Sequence, residues 1–144
     1  MGEDQKGGND SRAKADANRQ EPEVSAGQIG VLFRWPEFPV IVFGADLLAG
    51  ARDRRELMQR LEEFCRASPG SEPKAVDATG EEFWFNAQHL ALIPGFLAKI
   101  WTKRQLVELY NAHLSAGQSA YAPRSLSNKR RAQIVADIVA LLSG

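Results

Sequence analysis

The chain is poor in the residues that most soluble chemistry needs. It has one cysteine, Cys65, and two histidines, His89 and His113. A single thiol excludes an internal disulfide and fits a reducing compartment. The three residues are far apart, and neither Cys-x-x-Cys nor His-x-x-x-His spacing occurs, so no metal site is expected. No apolar run approaches the roughly 18 residues that a spanning helix needs. The first residues, "MGEDQKGGNDSRAKADANRQEPE", lack the apolar core of a signal peptide. Lys6 stands where a myristoylation motif requires Ser or Thr. G-x-S-x-G, P-loop and G-x-G-x-x-G patterns are missing, so no cofactor is expected. Formal net charge is zero, from 18 Lys/Arg against 18 Asp/Glu, and bulk charge therefore selects no partner. These absences lead to a cytoplasmic, bacterial, non-enzymatic protein with no membrane partner.

What is present is an ordinary globular composition, 44% hydrophobic and 25% charged over 144 residues, enough for one real core. The zero net charge conceals an asymmetry. Residues 1–98 carry 11 Lys/Arg and 16 Asp/Glu, whereas residues 99–144 carry 7 and 2. Either the basic end meets an anionic partner, or the two halves neutralise each other within the fold.

Residues 1–27 contain no aromatic residue and only Met1 and Val24 among the larger aliphatics. They cannot bury enough apolar surface to offset their ordering entropy, and disorder is expected. Residues 28–100 read as an α+β domain. Ile29–Trp35 and Pro39–Phe43 have strand composition, and the unbroken "VIVF" suggests a strand buried on both faces. "DRRELMQRLEEFCRA" predicts a helix capped by Asp53 with Glu56 three residues on, and an apolar stripe of Leu57, Met58, Leu61, Phe64 and Cys65. Ala75–Asp77 and Glu82–Asn86 predict a hairpin turning at Thr79-Gly80. "HLALIPGF" reads as a loop or short strand. Residues 101–144 predict two helices. One is capped by Thr102 with Gln105 at the capping-box position; the other runs from about Asn128 to Leu142 with Ser127 as cap. The expected order is thus ββαββ followed by a C-terminal helical pair.

Four features could carry chemistry. Asp77, Glu81 and Glu82 surround a turn where solvation is the simpler expectation. His113 falls on an apolar stripe and suits a packed core. In "EEFWFN", Trp84 opposes Phe83 and Phe85, so an aromatic face is exposed to a partner unless both sheet faces are covered. The fourth feature is basic: both C-terminal helices begin with cations, "TKRQ" and "SNKRR". Positive charge is mildly unfavourable at a helix start, whereas free backbone N–H groups with flanking Lys and Arg suit phosphate.

The same stretches, "TKRQLVELYNAHLSA" and "SLSNKRRAQIVADIVALL", resemble the helix–extended-loop–helix modules of the SAP and HeH group. Leu106 and Leu109 match the first helix, Leu126 the connector aliphatic, and Arg131–Ile138 the second helix. The connector is longer than in those modules, and Asp137 stands where they often carry a basic residue. The resemblance implies DNA or RNA backbone binding at Arg124, Lys129, Arg130 and Arg131; of the two, DNA is the partner expected. Charge and position add Lys99, Lys103 and Arg104 to one expected patch. The alternative is a protein-interaction module, an adaptor or inhibitor using the acidic and aromatic domain. An enzyme built on Asp77, Glu81 and His89 comes third.

Overall fold

The structure is a computed structural model and describes residues 29–44, 46–86, 88–95, 97–114, 119–124 and 126–143. The expectation of disorder for residues 1–27 lies outside the described residues. Six strands and three helices follow the order β1 (Gly30–Val31), β2 (Val40–Phe43), β3 (Leu48–Ala51), α1 (Arg54–Ala67), β4 (Lys74–Val76), β5 (Glu82–Asn86), β6 (Ala91–Pro94), α2 (Lys103–Ala112) and α3 (Arg131–Ser143). The strands form one mixed sheet in the order β1-β6-β5-β4-β2-β3.

The fold is α+β, but it is larger than the ββαββ expected from sequence. Strand β3, "LAGA", lacks strand-type side chains and forms because β2 pairs with it, Val40 opposite Ala51 and Phe43 opposite Leu48. Strand β6 comes from the "ALIP" stretch and pairs with β5. Strand β1 does not pair with β2. It crosses to the far edge and lies parallel to β6, Gly30 opposite Ala91.

Both sheet faces are covered. On one, Leu57, Leu61 and Phe64 of α1 pack on Val40, Val42, Ala75, Phe83, Phe85 and Leu92. On the other, Leu106 and Tyr110 of α2 and Ile134, Val135, Ile138 and Val139 of α3 pack on Ile41 and Val76. Val40, Ile41 and Val42 are all fully buried. The uninterrupted apolar run of β2 therefore has the reason anticipated for it: alternate side chains enter two different cores. Phe83 and Phe85 fill the α1 side, so the aromatic strand presents no open platform.

The helix caps follow sequence rules closely. Asp53 accepts from the Glu56 N–H at 2.9 Å. The Glu56 carboxylate reaches back to the Arg52 N–H, one residue before the cap, at 2.8 Å. Hydrogen bonds from the Arg52 guanidinium, and then this backbone bond, pull its carboxyl down to about 2. At α2 the full Thr102–Gln105 capping box forms. The last helix departs from expectation. A 3-10 turn occupies Leu126–Asn128, and α3 starts at Arg131. Of the three consecutive cations, only Arg131 lies inside the helix.

Strand directions decide where the helices begin. Because β1 and β6 are parallel and every other pair is antiparallel, the last residues of β1, β3, β4 and β6 lie at one end of the sheet. The first residues of β2 and β5 lie there too. Helix α1 starts at this end, with the Arg54 guanidinium 4.3 Å from the Trp35 ring centroid. Helices α2 and α3 start there as well: Trp101 N–H donates to Gly80 O at 2.7 Å, and Arg131 Nη1 donates to Thr79 O at 2.7 Å.

Helix α3 lies close against the sheet at Gly50, where a Cβ would stand 2.9 Å from Val139 Cγ1 and 3.2 Å from Val139 Cα. The glycine in β3 is thus a spacing device. Gly50→Ala should lower the unfolding free energy by about 1–3 kcal/mol through overpacking, read by urea denaturation. An unchanged midpoint would show that α3 is not seated this closely.

Candidate nucleic-acid interface

The β4–β5 turn, Asp77–Glu81, organises the end of the sheet where the helices begin. Asp77 is only 1% exposed, and its carboxylate is saturated. Oδ1 accepts from Thr79 N–H at 2.9 Å, Thr79 Oγ1 at 2.6 Å and Glu81 N–H at 3.1 Å. Oδ2 accepts from Glu37 N–H at 3.0 Å. These bonds shape the turn and tie the β1–β2 connection to it. Gly80 sits at φ +91, in the left-handed region that favours glycine. A Cβ there would meet Arg131 Cδ at 2.4 Å and Trp101 O at 3.0 Å.

Glu82 is also buried, at 4% exposure. Oε2 accepts from Trp84 Nε1 at 2.6 Å and Oε1 from Trp101 Nε1 at 2.8 Å. One carboxylate thereby fixes two indoles, and Lys74 Nζ lies 3.8 Å away to balance the charge. Trp101 stacks edge-on against Phe43 at 5.3 Å and carries the Lys99 ammonium at 4.4 Å. Because Trp101 immediately precedes the Thr102 cap, this clamp sets where α2 begins. The expectation of a solvated acidic turn is thus corrected: Asp77 and Glu82 are interior hydrogen-bond acceptors. Glu81 pairs with Arg34. His89 lies between β5 and β6, at the opposite end of the sheet from Asp77 and Glu81, so these three residues do not share a site. His113 ends α2, with Nδ1 2.9 Å from Leu109 O. Cys65 is half-buried on α1, and burial pushes its thiol up.

Of the seven cations expected in one patch, Lys99 lies over the Trp101 ring, and the other six divide into two groups. Lys103 Nζ donates to Leu126 O at 2.9 Å, which brings the start of α2 against the 3-10 turn before α3. Arg131 holds Thr79 as described above, with its Nε buried and unpartnered. Lys129 Nζ lies 2.6 Å from Asp137 Oδ2. These three bind the fold together. Arg104, Arg124 and Arg130 are exposed and take no hydrogen bond or ion pair from the described residues through their guanidinium groups.

Asp137 joins the connector to α3. Its Oδ2 also accepts from Tyr121 Oη at 2.5 Å. The Tyr121 backbone in turn clasps the Asn111 side chain of α2, accepting at 3.1 Å and donating at 2.8 Å. Burial raises the Asp137 carboxyl, but bonds from Lys129 and Tyr121 and the Lys129 charge outweigh it, leaving its pKa lowered. Burial, then the bond to Asp137 and its charge, raise the Tyr121 phenol well above its ordinary value. The acid at position 137, out of step with the SAP and HeH pattern, is thus the anchor of the extended connector. Sequence reasoning had no signal for this, because its partners are 8 and 16 residues away.

The same end also carries an apolar cluster that sequence reasoning missed. Phe33 is 88% exposed, Leu97 78%, and Leu32 and Ile100 about half. Among the described residues, no group of His, Cys, Asp and Glu could hold a metal ion, and no helix is long and apolar enough to cross a membrane. Comparison with known proteins finds no matching family model, curated protein or solved structure.

Two outcomes check this description. Asp77→Ala leaves the N–H groups of Glu37, Thr79 and Glu81 without their acceptor and should destabilise by at least about 2 kcal/mol in urea denaturation. A cost below about 0.5 kcal/mol, the range of an ordinary surface substitution, would contradict the turn's role. Asp137 has a lowered folded pKa, so its stabilisation is present above the ordinary carboxylate value of about 4 and fades as pH falls below it. The stability gap between the wild type and Asp137→Asn should therefore be full at neutral pH and narrow in acid. A gap that is constant with pH would contradict the ionic anchor.

Proposed function

We propose that this chain binds nucleic acid, DNA in preference to RNA, by contacting the phosphate backbone around the starts of α2 and α3. The reading is non-enzymatic, needs no cofactor, and has the cytoplasm as its setting. The observation that carries it is convergence. The Lys103–Leu126 and Arg131–Thr79 bonds gather two basic helix starts around one turn. Helix N-termini there add unpaired backbone N–H groups and positive dipole ends. Arg104, Arg124 and Arg130 supply guanidinium groups free for phosphate, while Lys103 keeps two of its three donors after bonding Leu126. The SAP and HeH resemblance supports the same reading from the sequence, and Tyr121 and Asp137 hold the connector against both helices.

The six cations have unequal roles in this reading. Substituting Lys129 or Arg131 would loosen the fold along with any binding, whereas the three exposed arginines test binding alone. A second reading, a protein-interaction surface, is favoured by the exposure of Phe33 and Leu97. It no longer draws on the aromatic strand, whose Phe83 and Phe85 are interior.

Fluorescence anisotropy of labelled oligonucleotides at about 50 and 200 mM salt is the test, because several phosphate contacts change affinity by orders of magnitude over that span. The wild type should bind in a salt-dependent manner. Arg104→Ala, Arg124→Ala and Arg130→Ala together should leave the melting temperature unchanged. They should also reduce the slope of log affinity on log salt by about one per contact removed. Affinity indifferent to salt, or to the three arginines, would contradict the proposal.

A further inference from the structure

Phe33 has a conformation that packing does not explain. Arg34 N–H donates to Leu32 O at 2.9 Å, closing a γ-turn with Phe33 at its centre. Its φ is +75, the sign of the rarer and more strained γ-turn form. A bulky residue with positive φ is a genuine outlier. The strain buries nothing, since the ring is 88% exposed. A strained backbone that holds a large apolar ring in water is the pattern of a recognition element.

Its surroundings identify what it would recognise. Phe33 follows β1 and so lies at the end of the sheet where the helices start. The next residue, Arg34, pairs with Glu81 of the central turn and lies 5.4 Å from the Phe83 ring centroid. Glu81 bridges to Ile100, beside Lys99 and the start of α2. Two strand spacings, roughly 10 Å, separate β1 from β5. Phe33 thus lies at the same end of the sheet as the start of α2, linked to it through the Arg34–Glu81 pair and the Glu81–Ile100 bridge. Arg34 is neutralised by Glu81, but Lys99 and Arg104, before and within the first turn of α2, complement an anion, and a polymer that offers both phosphates and free π-faces is a single strand. In a duplex the bases are stacked on one another, so the ring would find no partner.

We infer that the chain selects single-stranded over double-stranded nucleic acid by stacking an unpaired base on Phe33. This inference rests on the phosphate-binding reading above and adds its substrate class. Leu32 and Leu97, at the same edge, supply apolar surface for the sugar and the flanking base. Base–aromatic stacking tolerates any sequence, so the selection is for strandedness.

The experiment titrates the full chain into labelled oligothymidine, oligouridine and a duplex of equal length at low salt. It compares wild type, Phe33→Ala and Phe33→Tyr, with melting curves to verify that all three are folded. The wild type should prefer the single strands. Phe33→Ala should weaken single-strand binding by about tenfold, a modest value for one stacked base, and leave duplex binding unchanged. Phe33→Tyr should behave like the wild type. The oligothymidine and oligouridine arms distinguish DNA from RNA as the source of the strand. Salt-dependent binding that ignores Phe33, or that falls equally on single strand and duplex, overturns this inference and leaves the phosphate reading standing. No binding to any oligonucleotide at low salt overturns both.

Discussion

The buried carboxylate of Asp77 is the constraint on which the rest of the structure depends. An unpartnered charge at 1% exposure would be costly, so the surrounding chain is bent to supply four donors. Those donors come from its own turn and from Glu37. Once the turn is fixed, Gly80 and Thr79 present backbone carbonyls outward. Trp101 takes one and Arg131 the other, and the two C-terminal helices are registered against the sheet by that pair of bonds. Glu82 adds a second interior carboxylate that orients both indoles. Two acids of the acidic half of the sequence, Asp77 and Glu82, thus work from inside, as acceptors that hold the starts of the C-terminal helices in place.

The basic segment is not neutralised through its side-chain bonds by the acidic half of the chain: its bonded cations go to two backbone carbonyls and to an acid of the same segment. Lys103, Lys129 and Arg131 bond to Leu126, Asp137 and Thr79. Arg104, Arg124 and Arg130 have no such employment among the described residues. Spacing along a helix cannot separate these groups, because the partners are brought in by tertiary contacts as far as 52 residues away.

Local rules were legible where the physics is local. The caps at Asp53 and Thr102, the β4–β5 hairpin and the two-sided burial of β2 follow from side-chain chemistry within a few residues. Strand β3 was not legible, because Leu48–Ala51 is mostly Ala and Gly and is recruited by pairing with β2. The partner of β1 was not legible either, since nothing in Gly30–Val31 indicates a parallel neighbour across the sheet. At the candidate site the basic helix starts were readable from sequence. The burial of Asp77 and Glu82 was not, since a Gly-containing turn with three acids looks solvated until Trp101 and Glu37 are brought against it. The exposure of Phe33 ran against composition, because an aromatic beside a β-branched run is ordinarily core.

The parallel pairing of β1 with β6 has a consequence for how the chain matures on the ribosome. Gly30 emerges early, yet its partner Ala91 is made some sixty residues later, a separation that carries a loop-closure cost before the contact is rewarded. The hairpins β2–β3 and β4–β5 can form meanwhile, with α1 laid over one side. The edge carrying Phe33 then closes only after β6 is available, and α2 and α3 are synthesised after that. The two parts of the proposed interface are therefore the last to be completed. A chain still being made would thus carry Phe33 well before the edge strand beneath it is paired.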